Sequence, residues 1–218
     1  MSLCPSCNKK SIAPVLKSKP YLIVKESLTQ NEIDQALPFT LTGKNKYGKD
    51  EQTNSYYLMK EMGMVGINFQ QLSFAALWMH LPPKMGRSKE SKANFQGCLD
   101  YSVGQVIKAA EGKKIVLLMG AEVTRTFTGY GVSDISGLVC KSDLLPGVPT
   151  VIACPNPDNI MKMPIGELRN ALKVFAEQIK IYEEYSKIIT DAVSAYDSAA
   201  LLLFGECAYT NKEIYSNG

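Results

Sequence analysis

At 218 residues, 45% of them hydrophobic and 21% charged, the chain is long enough to bury a real core and has the composition of a soluble globular protein. The net charge of +3 is uneven: residues 1–164 carry 19 Lys and Arg against 13 Asp and Glu (+6), residues 165–218 carry 5 against 8 (−3). No apolar run approaches the ~20 residues of a membrane span, and "MSLCPSCNKK" has no signal-like apolar core, so a cytoplasmic or nucleoid-associated protein is expected rather than a membrane or secreted one.

The chain begins with "CPSC", Cys4 and Cys7 at C-x-x-C spacing. Six cysteines without a signal segment argue for metal ligands or free thiols over a disulfide framework. Four short apolar runs follow, each expected to be a buried strand: "YLIV" at 21–24, "LSFAAL" at 72–77, "KIVLLMG" at 114–120 and "PTVIAC" at 149–154. Their unbroken hydrophobicity suits a parallel sheet covered on both faces. Helical patterns lie between them, "SYYLMKEMG" at 55–63 closed by Gly63 and "FQGCLDYSVGQVIKAAEG" at 95–112 closed by Gly112. The expected architecture is a three-layer α/β/α domain over residues 1–164, with a mostly parallel four-stranded sheet. In such sheets function sits at the carboxyl ends of the strands, here 25–43, 78–90, 120–130 and 154–163. Residues 165–218 form a helical extension. Leu168, Leu172, Phe175, Ile179, Tyr182 and Tyr185 recur at three- and four-residue spacing, so part of it covers the sheet and the remainder packs as a second helix or docks a partner.

One metal constellation stands out. His80, the sole histidine, follows the second strand in "WMHLPP", and Cys98 lies near the start of a helix in "FQGCLDY". With Cys4 and Cys7 they make a Cys3His set, which suits zinc or an iron–sulfur cluster with one imidazole ligand. Cys140, Cys154 and Cys207 read as packing residues. The mildly basic body permits a phosphate-backbone partner, and Lys84, Arg87, Lys89 and Lys92 cluster after Pro83.

In order and spacing these stretches resemble the iron–sulfur branch of the uracil-DNA glycosylase superfamily over residues 1–163. "CPSC" stands first, and "KESLTQNEIDQALPF" lies over the G-E-A-P-G to P-F segment, keeping Glu26, Glu32, Pro38 and Phe39. "LSFAALWMHLPP" lies over the I-T-N to P-P segment, "GCLDY" carries the last cysteine, "IVLLMGAEVTRTFTG" the third strand and its loop, and "NPDNIMK" the closing motif. The resemblance implies a 4Fe-4S cluster on Cys4, Cys7, His80 and Cys98, with histidine in place of one cysteine, and zinc as the alternative. It also implies base stacking at Phe39 and DNA contacts at Lys84, Arg87, Arg125 and Lys162.

The catalytic motifs depart from the family. The glycine- and proline-bearing loop is Lys25-Glu26-Ser27-Leu28-Thr29, the uracil-reading Asn falls on Ala76, and the closing His falls on Asn156. Ala76 cannot hydrogen-bond a base edge. The expectation is therefore a glycosylase fold without base excision, binding single-stranded or duplex DNA as an accessory of replication or repair. Its extension at 165–218 would dock a polymerase or another replication protein. The other reading is an active DNA glycosylase with a remodelled pocket, in which Glu26 or Glu32 positions water and Asn156 contacts uracil or another modified base.

Overall fold

The computed structural model describes residues 2–45, 47–81, 88–157, 165–204 and 210. All four apolar runs are strands of one sheet: β3 (Tyr21–Ser27), β6 (Ser73–Trp78), β7 (Ile115–Met119) and β9 (Thr150–Cys154). They run parallel in the order β6-β3-β7-β9, in registers such as Val24 opposite Ala75 and Leu118. The described sheet has five strands rather than the expected four. The fifth, β8 (Val139–Cys140), pairs antiparallel at the β9 edge, and two residues are too few to leave a hydrophobic pattern in the sequence.

The sheet is covered on both faces, which is why its strands read as unbroken apolar runs. Alternate residues Leu22, Val24, Ala75, Leu77, Val116, Leu118 and Val151 pack with Val106, Ala109 and Ala110 of α3 (Lys89–Ala110), and with Val123 and Phe127 of α4 (Ala121–Thr128). Helix α3 starts at Ser88, whose side chain accepts from the Ser91 N–H, six or seven residues before the expected beginning. It ends where expected, with Gly112 at φ 71°. Helix α2 (Asn54–Met64) runs through Gly63, and the positive φ that ends the turn belongs to Gly66. The segment 120–130, expected as a loop, is mostly α4, followed by the short α5 (Val132–Ile135).

The first residues form a small hairpin, β1 (Ser2–Leu3) with β2 (Lys10–Ser11), and a second hairpin joins β4 (Thr42–Lys44) to β5 (Asp50–Gln52). After β3 comes one short helix, α1 (Gln30–Asp34). From Ile165 to Phe204 the extension is one helix, α6, 40 residues long. The described chain divides into two compact units, Met1–Ala176 and Glu177–Gly218. Within the first, Leu168, Ala171, Leu172 and Phe175 are fully buried, and Arg169 makes a two-pronged ion pair with Glu61 of α2. Within the second, the helix is exposed at Tyr185, Ile188 and Tyr196. No described helix is long and apolar enough to cross a membrane.

Candidate functional site

The β1–β2 hairpin turns at "CPSC". The Cys4 N–H donates to the Lys9 carbonyl at 2.9 Å and the Asn8 N–H to the Cys4 carbonyl at 2.8 Å. Asn8 holds φ 55°, a left-handed value that asparagine tolerates better than most residues. The hairpin is anchored to the sheet by the Ile12 N–H, which donates to the Met79 carbonyl at 2.8 Å, just beyond β6. That bond brings the turn to His80. On the other side the turn meets α3, where a Cβ at Gly97 would stand 2.5 Å from the Ser6 hydroxyl. A side chain at position 97 would make Ser6 shift, so the glycine favours this close approach of the turn to α3.

Cys4, Cys7, His80 and Cys98 are thereby brought together, with one ligand atom from each and all four within 4.8 Å of one another. The Cys4 and Cys98 sulfurs are 3.6 Å apart, and the Cys7 sulfur is 3.8 Å from His80 Nε2. Cys4, Cys98 and His80 are buried, Cys7 half-buried. His80 Nδ1 stands 2.9 Å from the Leu81 carbonyl, which makes it the N–H donor and leaves the Nε2 lone pair for the cluster. The Leu81 carbonyl also accepts from Lys9 Nζ at 3.0 Å. Burial alone would raise the Cys4 thiol, but the backbone N–H groups of Ser6 and Cys7 and the neighbouring thiols outweigh it and lower its pKa. Burial, with hydrogen bonding and charge from Cys7 and Cys4, pushes Cys98 up to about 12. The two thiols are thus pushed in opposite directions, and a cation bound by all of them would relieve that conflict. The four residues can bind a metal ion.

Beyond the end of β3 a polar pocket of about 170 Å³ is lined by Thr29, Asn31, Glu32, Thr40 and Thr53, and a buried ion pair lies at its floor. Lys25 and Glu32, each 1% exposed, form a buried ion pair at 2.8 Å. The Glu32 carboxylate accepts two bonds from Lys25, one from the Thr29 N–H at 2.7 Å, one from the Thr29 hydroxyl at 2.9 Å and one from the Phe39 N–H at 2.6 Å. These five bonds, from four donor atoms, occupy the lone-pair directions a carboxylate offers. Thr29 and Glu32 also form a capping box that starts α1. Lys25 is the residue of this network that sequence reasoning missed. Its signal was a lysine closing an apolar strand, with an acid seven positions on.

Glu26 is used differently. Its carboxylate accepts the Glu122 N–H at 3.1 Å, at the start of α4, where Gly120 supplies no side-chain cap. A Cβ on Gly120, at φ 124°, would run into that carboxylate. Glu122 in turn accepts from Trp78 Nε1 at 2.9 Å. Ala76 is 1% exposed and packs with Ile12 and Leu28, over which Ile33 and Ala36 close. Phe39 is 4% exposed at φ 59°, its ring 4.7 Å from that of Phe74 and 5.2 Å from Lys25 Nζ. A mostly apolar groove of about 290 Å³ opens beside it at the β6 edge, between Val15, Leu37 and Phe69.

Asn156 is half-buried after β9, and Arg125 is exposed on α4. Lys89 and Lys92 are exposed in the first turn of α3. Lys84, Arg87, Lys162 and Cys207 lie outside the described residues. Cys154 is fully buried in the sheet, and burial raises its thiol; Cys140 is half-buried, with its sulfur 3.3 Å from the Val151 carbonyl.

Fold and site together define an α/β protein with a mostly parallel five-stranded sheet and a candidate Cys3His metal centre at one strand end. No family model matches the chain, and a search of curated proteins finds no match.

Proposed function

We propose that this chain is a DNA-binding protein with a uracil-DNA glycosylase-like fold that does not excise bases, serving as an accessory of replication or repair. The saturation of Glu32 supports this reading most. A carboxylate that already accepts five hydrogen bonds, inside an ion pair excluded from solvent, has no orbital left to orient a water against a glycosidic bond. The apolar packing around Ala76 points the same way, because its methyl group, set against Ile12 and Leu28, cannot itself read a base edge.

In this reading phosphate contacts come from basic side chains that follow the strand ends in sequence, Arg125 on α4 and Lys89 at the start of α3 among them, with Lys84, Arg87 and Lys162. The metal centre, whose resemblance-implied occupant is a 4Fe-4S cluster with zinc as the alternative, staples the N-terminal hairpin to β6 and α3. The acidic extension docks a replication protein such as a polymerase.

Single-turnover base release tests the proposal. Protein in excess is incubated with single- and double-stranded oligonucleotides carrying uracil, hypoxanthine or an oxidised base, and abasic sites are revealed with alkali. The expected result is binding by fluorescence anisotropy and no strand breaks. Cleavage that disappears in Glu26→Ala or Asn156→Ala would overturn it in favour of an active glycosylase.

A further inference from the structure

We infer that the Cys4–Cys7–His80–Cys98 site is built for one tetrahedral dication of the zinc class, and not for the four-iron cluster that the family resemblance implies. The spacing of the donor atoms carries this, whether or not the protein binds DNA.

Four points separated by no more than 4.8 Å fit inside a sphere of about 2.9 Å radius (0.61 × 4.8 Å), so every donor atom lies within about that distance of a common centre. A single zinc ion asks for about 2.3 Å to sulfur and about 2.1 Å to imidazole nitrogen. At tetrahedral angles this puts two sulfurs about 3.8 Å apart and a sulfur and a nitrogen about 3.6 Å apart. The separations found are 3.6 Å between Cys4 and Cys98 and 3.8 Å between Cys7 and His80 Nε2. A four-iron cubane carries each ligand on a different iron around a core of eight atoms, so its ligand atoms stand much farther apart than those on a single ion. The present donor cage has no volume for such a core.

Nor is the cage free to widen. The hairpin turn rests on α3 where Gly97 leaves no Cβ, and Ser6 fills that contact. His80 is held through Nδ1 against the Leu81 carbonyl, and the Ile12 N–H ties the hairpin to Met79 next to it. Opening the cage to the size of a cubane would have to move these contacts as well. Three thiolates and a neutral imidazole suit zinc in charge and softness, and leave a net charge of −1 beside Lys9.

The test is elemental analysis and spectroscopy of the full chain, purified without oxygen from cells supplied with both iron and zinc. The expected result is about one zinc per chain, almost no iron or acid-labile sulfide, and no absorbance near 400 nm. Replacing zinc with Co(II) should give the intense visible bands of a tetrahedral sulfur-rich site, and His80→Cys should keep one equivalent of cobalt while shifting those bands. Cys98→Ser should lower zinc affinity by about 100-fold, read by competition with a chromophoric chelator. Because that variant risks misfolding, His80→Cys carries the decision. Four irons and four sulfides per chain overturn the inference, and so does protein that takes up no metal of either kind.

Discussion

Lys25 and Glu32 are each 1% exposed, and each offsets much of the other's cost of burial. Glu32→Ala leaves a buried ammonium without its partner and should lower unfolding stability by about 3–5 kcal/mol in urea titration. The double change Lys25→Met with Glu32→Leu should recover most of that loss, because an apolar pair removes both desolvation costs. If the pair were instead catalytic, the double variant would lose an activity while staying folded. Phe39 stands in the same network, with its ring close to both Phe74 and Lys25. Phe39→Ala should cost about 3 kcal/mol by cavity formation, measured the same way. Arg125 is the exposed counter-case. In the DNA-binding reading, Arg125→Glu should weaken binding to all sequences about equally and reduce the salt slope by about one, read by anisotropy over a salt series.

Among the elements, the β1–β2 hairpin is the one least able to hold itself. Each of its strands is two residues long, and a two-stranded hairpin of that size is not stable in water. Its order comes from what it touches: Met79 through one backbone bond, α3 through the Gly97 contact, and the ligand cluster. Gly97→Val should push the turn away from α3, and bound metal per chain should fall well below one while helix content by circular dichroism stays close to the parent's. The start of α4 shows how one acid can be absorbed structurally. Glu26 caps a helix whose own preceding residue, Gly120, has no side chain to do so.

For the whole molecule, the metal site joins three segments distant in sequence: residues 4–7, 80 and 98. Removing the metal with a chelator should therefore destabilise the domain by a few kcal/mol and lower the melting temperature by roughly 10 °C in a thermal scan, with recovery on adding zinc. A chelator without effect on melting would show that the hairpin is held by packing alone. Several things could be read without a structure. The unbroken apolar runs marked the four parallel strands, because a strand buried on both faces needs apolar side chains at every position. Cys4, Cys7, His80 and Cys98 could be picked as a set because thiolate and imidazole side chains have a narrow chemistry and only one histidine was available. The antiparallel β8 was invisible since two residues carry no period, and α4 was hidden because its eight residues follow a strand without a side-chain cap. The fate of "KESLTQNEIDQALPF" was also beyond the sequence. Its acids read equally well as water-positioning groups or as structural ones, and only the packed chain shows Glu32 enclosed by Lys25, Thr29 and Phe39 and Glu26 held at α4. Residue type and spacing are properties of the sequence. Whether a carboxylate keeps a free lone pair, and how far apart four ligand atoms stand, depends on contacts between distant segments, and those exist only once the tertiary structure has closed.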